Sequence, residues 1–222
     1  MATAAVEKVE LEHLPATHTV LLALYRNVVN AGFLQEQLLG RNADFEYAFV
    51  DASTVVSRFQ LLTAVHKAVT AEMAGTMRTP NVHSEVVVSL SSNNNVGEPM
   101  QSCRYEMHDQ LTRYTTTDLR SLQEIRRPAR HQRRGRRQSA HIPRRRPSSL
   151  SPDDVEKHLQ THVQGESVPC SDEELARVTD WPKLRKYHKL SGLPWIDAIK
   201  DEQAKKNELE MLIVSAMAMR GT

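Results

Sequence analysis

The chain has 222 residues, 40% hydrophobic and 5% aromatic, which suits one domain with a modest core better than two small ones. Its formal charge of +2 joins two unlike parts: Glu98 to Ser148 carries 13 Arg, no Lys and 5 acidic residues, or +8, and the remainder holds 16 basic against 22 acidic residues, or −6. That distribution excludes a protein that grips nucleic acid through an overall positive field.

After "LEHLPATHT" the apolar residues Val20, Leu21, Leu24, Val28, Ala31, Leu34 and Leu38 recur at helical spacing. With Thr17 or Thr19 as a cap and Gly40 as a stop, they predict a first helix. "FEYAFVD", Phe45 to Asp51, is short and rich in strand-forming types and predicts a buried strand. "ASTVVSRFQLLTAVHKAVTAEMAG" carries Val55, Phe59, Leu62, Val65 and Val69 and predicts a second helix ending near Gly75. "HSEVVVSLS" predicts a second strand, ended by the polar "SNNNVGEP".

From Glu98 to Ser148 the only large aliphatics are Leu111, Leu119, Leu122, Ile125 and Ile142, and they keep no period. No core element is expected there, and a segment made as written is expected to be disordered. Order returns at "SLSPDDVEKHLQTHV", where Ser151 caps, Pro152 takes the first helical position, and Asp153 and Asp154 complement the helix dipole. "CSDEELARV" repeats this, with Ser171 and Glu174 at capping-box spacing. Asp180 and Pro182 open a short helix through "WPKLRKYHKL", and a last helix runs from about Asp197 to Arg220. The predicted fold is α+β: a small mixed or antiparallel sheet flanked by helices, one domain in parts 11–96 and 149–222, interrupted by the Arg-rich 97–148. Two strands alone are marginal, so the missing strands belong in the gap.

Cys103 and Cys170 sit in no CxxC motif, which fits a reducing compartment. The first residues lack the basic and apolar regions of a secretory signal, and no run approaches the roughly 18 apolar residues of a membrane span, so a soluble intracellular protein is expected. "RRPARHQRRGRRQSAHIPRRRP" can act as a phosphate-contacting arm, which would make the chain a general nucleic-acid binder, but no aromatics for base stacking are interleaved in it. His158 and His162 share a helix face but lack further metal ligands in sequence, and no phosphate loop, nucleophile elbow or paired-carboxylate motif appears. No catalytic residue, metal or cofactor is therefore expected. In "KLRKYHK", Lys183, Arg185, Lys186 and Lys189 surround Tyr187, either as a solvated helix face or as a basic patch for RNA backbone. The last helix, with Leu209, Leu212, Ile213, Ala216, Met217 and Met219, is apolar enough for both a core stripe and a partner surface.

The stretches "LLALYRNVVNAGFLQEQLL", "FEYAFVDASTVVSRFQLLTAVHKAV", "MRTPNVHSEVVVSLSSNNN", "DWPKLRKYHKLSG" and "IVSAMAMRG" resemble the small tRNA-binding subunit of the EKC/KEOPS complex, the PRPK-binding protein family, in its fungal form. The resemblance covers roughly 11–96 and 150–222. It implies a mixed α/β fold and a non-catalytic role. It also implies binding to the small atypical kinase of the complex and, through it, to the threonylcarbamoyl transferase. Such a subunit helps deliver tRNA, by its CCA end, for threonylcarbamoyladenosine (t6A) modification beside the anticodon. The family further implies residence in nucleus and cytoplasm and a part in telomere maintenance. A kinase contact on the terminal helix and on the loop "RTPNVHSE" carries over to Asn81, Ile213, Met217 and Arg220; tRNA contact carries over to Lys183, Arg185, Lys186 and Lys189.

After the asparagine-rich turn the family continues with a helix and then an aliphatic strand, which "VGEPMQSCRYEMHDQLTRYTTTDLRSLQEI" replaces. Glu98 before Pro99 is a poor helix interior. Arg codons of the CGN type, read one base later, encode Val, Ala, Asp, Gly or Glu, and "ARHQR" can be encoded so that the next frame reads as a strand. Residues 97–147 are therefore expected to be read out of frame, or through an unspliced intron.

Overall fold

Six apolar residues in succession, Val20 to Tyr25, leave no polar face for a surface helix, and they form the centre of strand β2 (His18–Arg26). This corrects the helix expected from Val20; only its later part is helical, as α1 (Ala31–Leu39). The computed structural model describes residues 6–15, 18–40, 42–91, 113–121 as backbone, and 151–220.

The sheet has five strands, all paired antiparallel. β1 (Val6–Val9) and β5 (Glu166–Val168) share one edge of β2, while β4 (Arg113–Ser121) pairs the other edge and separates it from β3 (Ala48–Asp51). β4 lies inside the gap: a missing strand was expected there, although the aliphatics of 98–148 led to no core element being foreseen. It pairs β2 from His18↔Ser121 to Arg26↔Arg113, and β3 from Ala48↔Thr117 to Asp51↔Tyr114. Its sequence signal is threonine and tyrosine rather than aliphatics, since β-branched and aromatic types fit a pleated strand without an apolar run. The arginine run from Arg126, like the rest of the segment 97–147 expected to be out of frame apart from β4, lies outside the described residues.

Six further helices of the described residues are α2 (Arg58–Ala74), α3 (Val82–Leu90), α4 (Pro152–His162), α5 (Asp172–Val178), α6 (Trp181–Tyr187) and α7 (Pro194–Asp197). α8 (Glu202–Met219) follows them. α3 overturns the strand expected from "HSEVVVSLS". Asn81 accepts from the Ser84 N–H at 2.8 Å as its cap. Val82, Val86 and Leu90, four apart, fall on one face and are buried together, so packing overrides the strand preference of three valines. The expected caps of α4, α5 and α6 are present, Ser151 and Asp154 forming a reciprocal capping box. Gly75 closes α2 at φ 67°, in the left-handed region that favours glycine.

β2 is apolar throughout because it has a core on each side. Val20, Leu22 and Leu24 pack with residues of α2, α3, α5, α6 and α8; Leu21, Ala23 and Tyr25 pack with α1, α4, Phe45, Tyr47 and Phe49. Burial pushes the Tyr25 hydroxyl up to about 12. Where the chain leaves α4 it passes the end of β2 so closely that a Cβ on Gly165 would stand 2.9 Å from the Arg26 carbonyl oxygen.

Candidate functional site: a helical docking face and a basic edge

The last helix has two apolar sides. Leu209, Ile213 and Met217 are buried, the last two in the main core at 1% and 0% exposure. Two of the four residues expected at a kinase contact, Ile213 and Met217, are thus packed within the chain's own core. On the opposite side of the same helix, Met211 is 63% and Met219 76% exposed, with Ser215 and Ala218 also outside. Burial cannot account for these methionines, and flexible thioether side chains suit a partner surface.

α2 lies alongside α8 and runs in the same direction. Near its start Ser57 Oγ donates to Glu210 Oε1 at 2.6 Å, and further on Lys67 Nζ donates to the Met217 carbonyl at 2.5 Å and to that of Arg220. The lysine thus satisfies carbonyls that the end of α8 leaves open, at the negative pole of its dipole. The outer positions of α2 are Phe59, 60% exposed, then His66, Thr70 and Met73. Two adjacent helices of one layer therefore present a shared outer face dotted with large apolar groups.

Asn81 caps α3 in a loop braced by a buried carboxylate. Glu85 Oε2 accepts from the Arg78 N–H at 3.0 Å, the Thr79 N–H at 2.9 Å and Thr79 Oγ1 at 2.6 Å. Arg220 donates from Nε to the Ala216 carbonyl at 3.0 Å and from its guanidinium to that of Ser91, tying the ends of α8 and α3 together. Burial, then Arg220 and Arg78, hold the Lys67 ammonium below its ordinary range, with Glu85 opposing. Burial likewise lowers Arg220, against Tyr187, and burial with Arg220 pushes His188 down to about 4. Lys67, Arg78 and Arg220 are therefore neighbours at one edge, beside the end of α6. Sequence reading missed Lys67 and Arg78, because the cluster is assembled from α2, a loop and the end of α8.

The four cations expected at tRNA divide in two. Lys183 Nζ lies 2.7 Å from Asp51 Oδ2 and donates to Ser53 Oγ at 3.1 Å; Arg185 pairs with Asp197 at 2.9 Å. Lys186 and Lys189 are exposed. Lys189 stands at φ 57° just past α6, with the Leu190 N–H donating to Arg185 O at 2.8 Å and its own N–H to Lys186 O at 3.1 Å. That is a Schellman closure with lysine where glycine is favoured.

His158 and His162 have ring centroids 4.5 Å apart, with Phe45 at the edge of both, and Tyr47 Oη lies 2.9 Å from His158 Nδ1. Among the described residues no group of three or more His, Cys, Asp or Glu is placed to hold a metal, and no helix is long and apolar enough to cross a membrane. Cys170 is buried, which raises its thiol to about 11.

An apolar two-helix face next to a basic edge, carried by helices packed on both sides of an antiparallel sheet, defines a docking module. Residues 25–221 match the model of the kinase binding protein CGI-121 family, and the chain belongs to that family. It is 46% identical over 217 residues to the EKC/KEOPS complex subunit CGI121 of Gibberella zeae, covering 98% of this chain and 99% of that one. The EKC/KEOPS subunit cgi121 of Neurospora crassa is 40% identical over 219 residues, covering 98% and 99%. That of Aspergillus fumigatus is 36% identical over 223 residues, covering 99% and 98%.

Proposed function

We infer that this chain is a non-catalytic subunit of an EKC/KEOPS complex. It docks the small atypical kinase of the complex through the outer face of α8 and α2, and helps recruit tRNA for t6A modification through its basic edge. The observation that carries the docking role is the double-sided α8, whose core stripe is complete without Met211 and Met219. Asn81 and Arg220 flank this face and brace it; Ile213 and Met217 support it from below. Through the kinase, the chain joins the threonylcarbamoyl transferase.

For tRNA, Lys186, Lys189 and Arg78 are exposed, and Lys67 and Arg220 stand beside them. Lys183 and Arg185 act through internal ion pairs that set the position of α6. Phosphate contacts of this kind position an RNA without reading its sequence. The setting is nucleus and cytoplasm, with telomere maintenance among the processes the complex serves.

The test is calorimetric titration of the purified kinase subunit into this chain and into the Met211→Glu/Met219→Glu double variant. Binding to the first, and loss of about tenfold or more in the second, is expected, since each buried apolar side chain contributes about 1.5–3 kcal/mol. Unchanged affinity with an unchanged melting curve places the contact elsewhere.

A further inference from the structure

The side of the sheet away from α2 and α8 carries a second surface. α1 and α4 pack there on β2, and Asn30 ties them together. Its Nδ2 donates to the His162 carbonyl at 2.7 Å and its Oδ1 accepts from the Gln164 N–H at 3.0 Å. Phe45, in the short turn Ala43–Phe45, is the hub of a ring cluster between the two helices. The Phe33, His158 and His162 rings meet it edge to face, with centroids 5.7, 5.0 and 5.1 Å away. Phe45 is buried and the histidines are half-buried, but Phe33 is 40% exposed, so the cluster opens to solvent there. Val29 and Leu39, 71% and 49% exposed, extend the apolar ground to both ends of α1.

The charge around these rings is mostly of one sign. Glu36 follows Phe33 by three residues on α1, Asp154 precedes His158 by four on α4, and Asp44 adjoins Phe45, all three exposed. Glu46, Asp153 and Glu156 add to them, and Lys157 is the one Lys or Arg among the described residues of α1, the turn and α4. Carboxylates attract any cation, but an exposed ring selects among cations: its negative face favours a planar, weakly hydrated guanidinium. We propose that the face of α1 and α4 docks an arginine-rich segment of a partner protein. One guanidinium stacks on Phe33, and Glu36, Asp44 and Asp154 pair with neighbouring arginines. Because Asn30 and the ring cluster already fix both helices, docking orders little of this chain. The same carboxylates repel phosphate, so this face differs from the basic edge in the ligand it takes.

The experiment follows the anisotropy of a fluorescein-labelled oligoarginine peptide on titration with the full chain, with labelled oligolysine and oligoglutamate beside it. Binding of oligoarginine, weaker binding of oligolysine and none of oligoglutamate is expected. Glu36→Lys/Asp44→Lys should weaken oligoarginine binding about tenfold, and Phe33→Leu about threefold or more. Phe33→Tyr, which keeps the ring, should bind as the natural chain does. The charge pair lies at the surface, so it reads the site even where a ring variant loses stability. Equal binding by the natural chain and a folded Phe33→Leu, or equal affinity for oligolysine, leaves only unselective charge attraction and overturns the proposal. Absence of binding, or binding that survives the charge reversal, overturns it too. Binding that appears only once the arginines from Arg126 to Arg146 are converted to glutamine makes that segment of the chain the occupant and overturns a partner. Self-association of the natural chain that Glu36→Lys/Asp44→Lys abolishes assigns the face to a second copy, with the same consequence.

Discussion

Lowering the pH charges His188 against its surroundings. Burial, and then the nearby Arg220, hold its folded pKa near 4 against an ordinary 6.5. The folded state therefore binds fewer protons than the unfolded chain between those values, and stability falls as pH falls. The contribution is complete above pH 6.5 and is lost progressively down to about 4. One pKa unit corresponds to about 1.4 kcal/mol, so the loss reaches about 1.4 kcal/mol at pH 5.5 and about 2.6 kcal/mol at pH 4.5. Urea unfolding of the natural chain and of His188→Gln at pH 7.5 and 5.5 isolates this share, because the carboxylates titrate alike in both. The variant is expected to lose about 1.4 kcal/mol less over that interval. Equal losses would refute the reasoning, since His188 would then titrate alike in both states.

Replacing Lys189 by glycine removes a side chain from a left-handed position and is expected to stabilise the fold by about 1 kcal/mol, read as a shift in urea midpoint. The same change deletes one exposed cation and should flatten the salt dependence of tRNA binding by about one unit of slope. Ile213→Ala is expected to destabilise by about 2–5 kcal/mol, whereas Met211→Ala shifts the melting temperature little and weakens the kinase complex. Deleting 98–148 would remove β4 from the middle of the sheet, so the test of the arginine run converts the arginines from Arg126 to Arg146 to glutamine. Kinase binding should survive that change, and complete loss of RNA binding would shift the RNA role to the arginine run. Sequencing the transcript across codons 90–155 is expected to return a family-like helix and aliphatic strand, and an uninterrupted cDNA encoding 97–147 as written refutes the frame reading.

Local signals were legible wherever a helix carries its own start and stop. α2, α4, α5 and α6 were found from Ser, Asp, Pro and Gly at fixed offsets, because a cap is an interaction between residues two or three apart. The α+β class was equally readable from residue types in order. The apolar run of β2 and the valines of α3 were misread in opposite directions. A strand buried on both faces loses its alternation, and a buried helix can carry β-branched residues where neighbours fill the space around them. Asn81, three residues before Ser84, was the overlooked sign that α3 is a helix.

The surfaces belong to the tertiary structure. The apolar character of α8 was plain in sequence, but which methionines face out depends on how the helix is rolled against the sheet: Met217 is in the core and Met219, two residues on, is outside. Likewise four cations in one short segment look equivalent until Asp51, 132 residues away, engages Lys183, and Asp197, on the next helix, engages Arg185. Composition and spacing determine which elements form and what chemistry they carry. Availability to a partner is a property of the packed layer, because burial and ion pairing are settled by residues more than a hundred positions away in the chain.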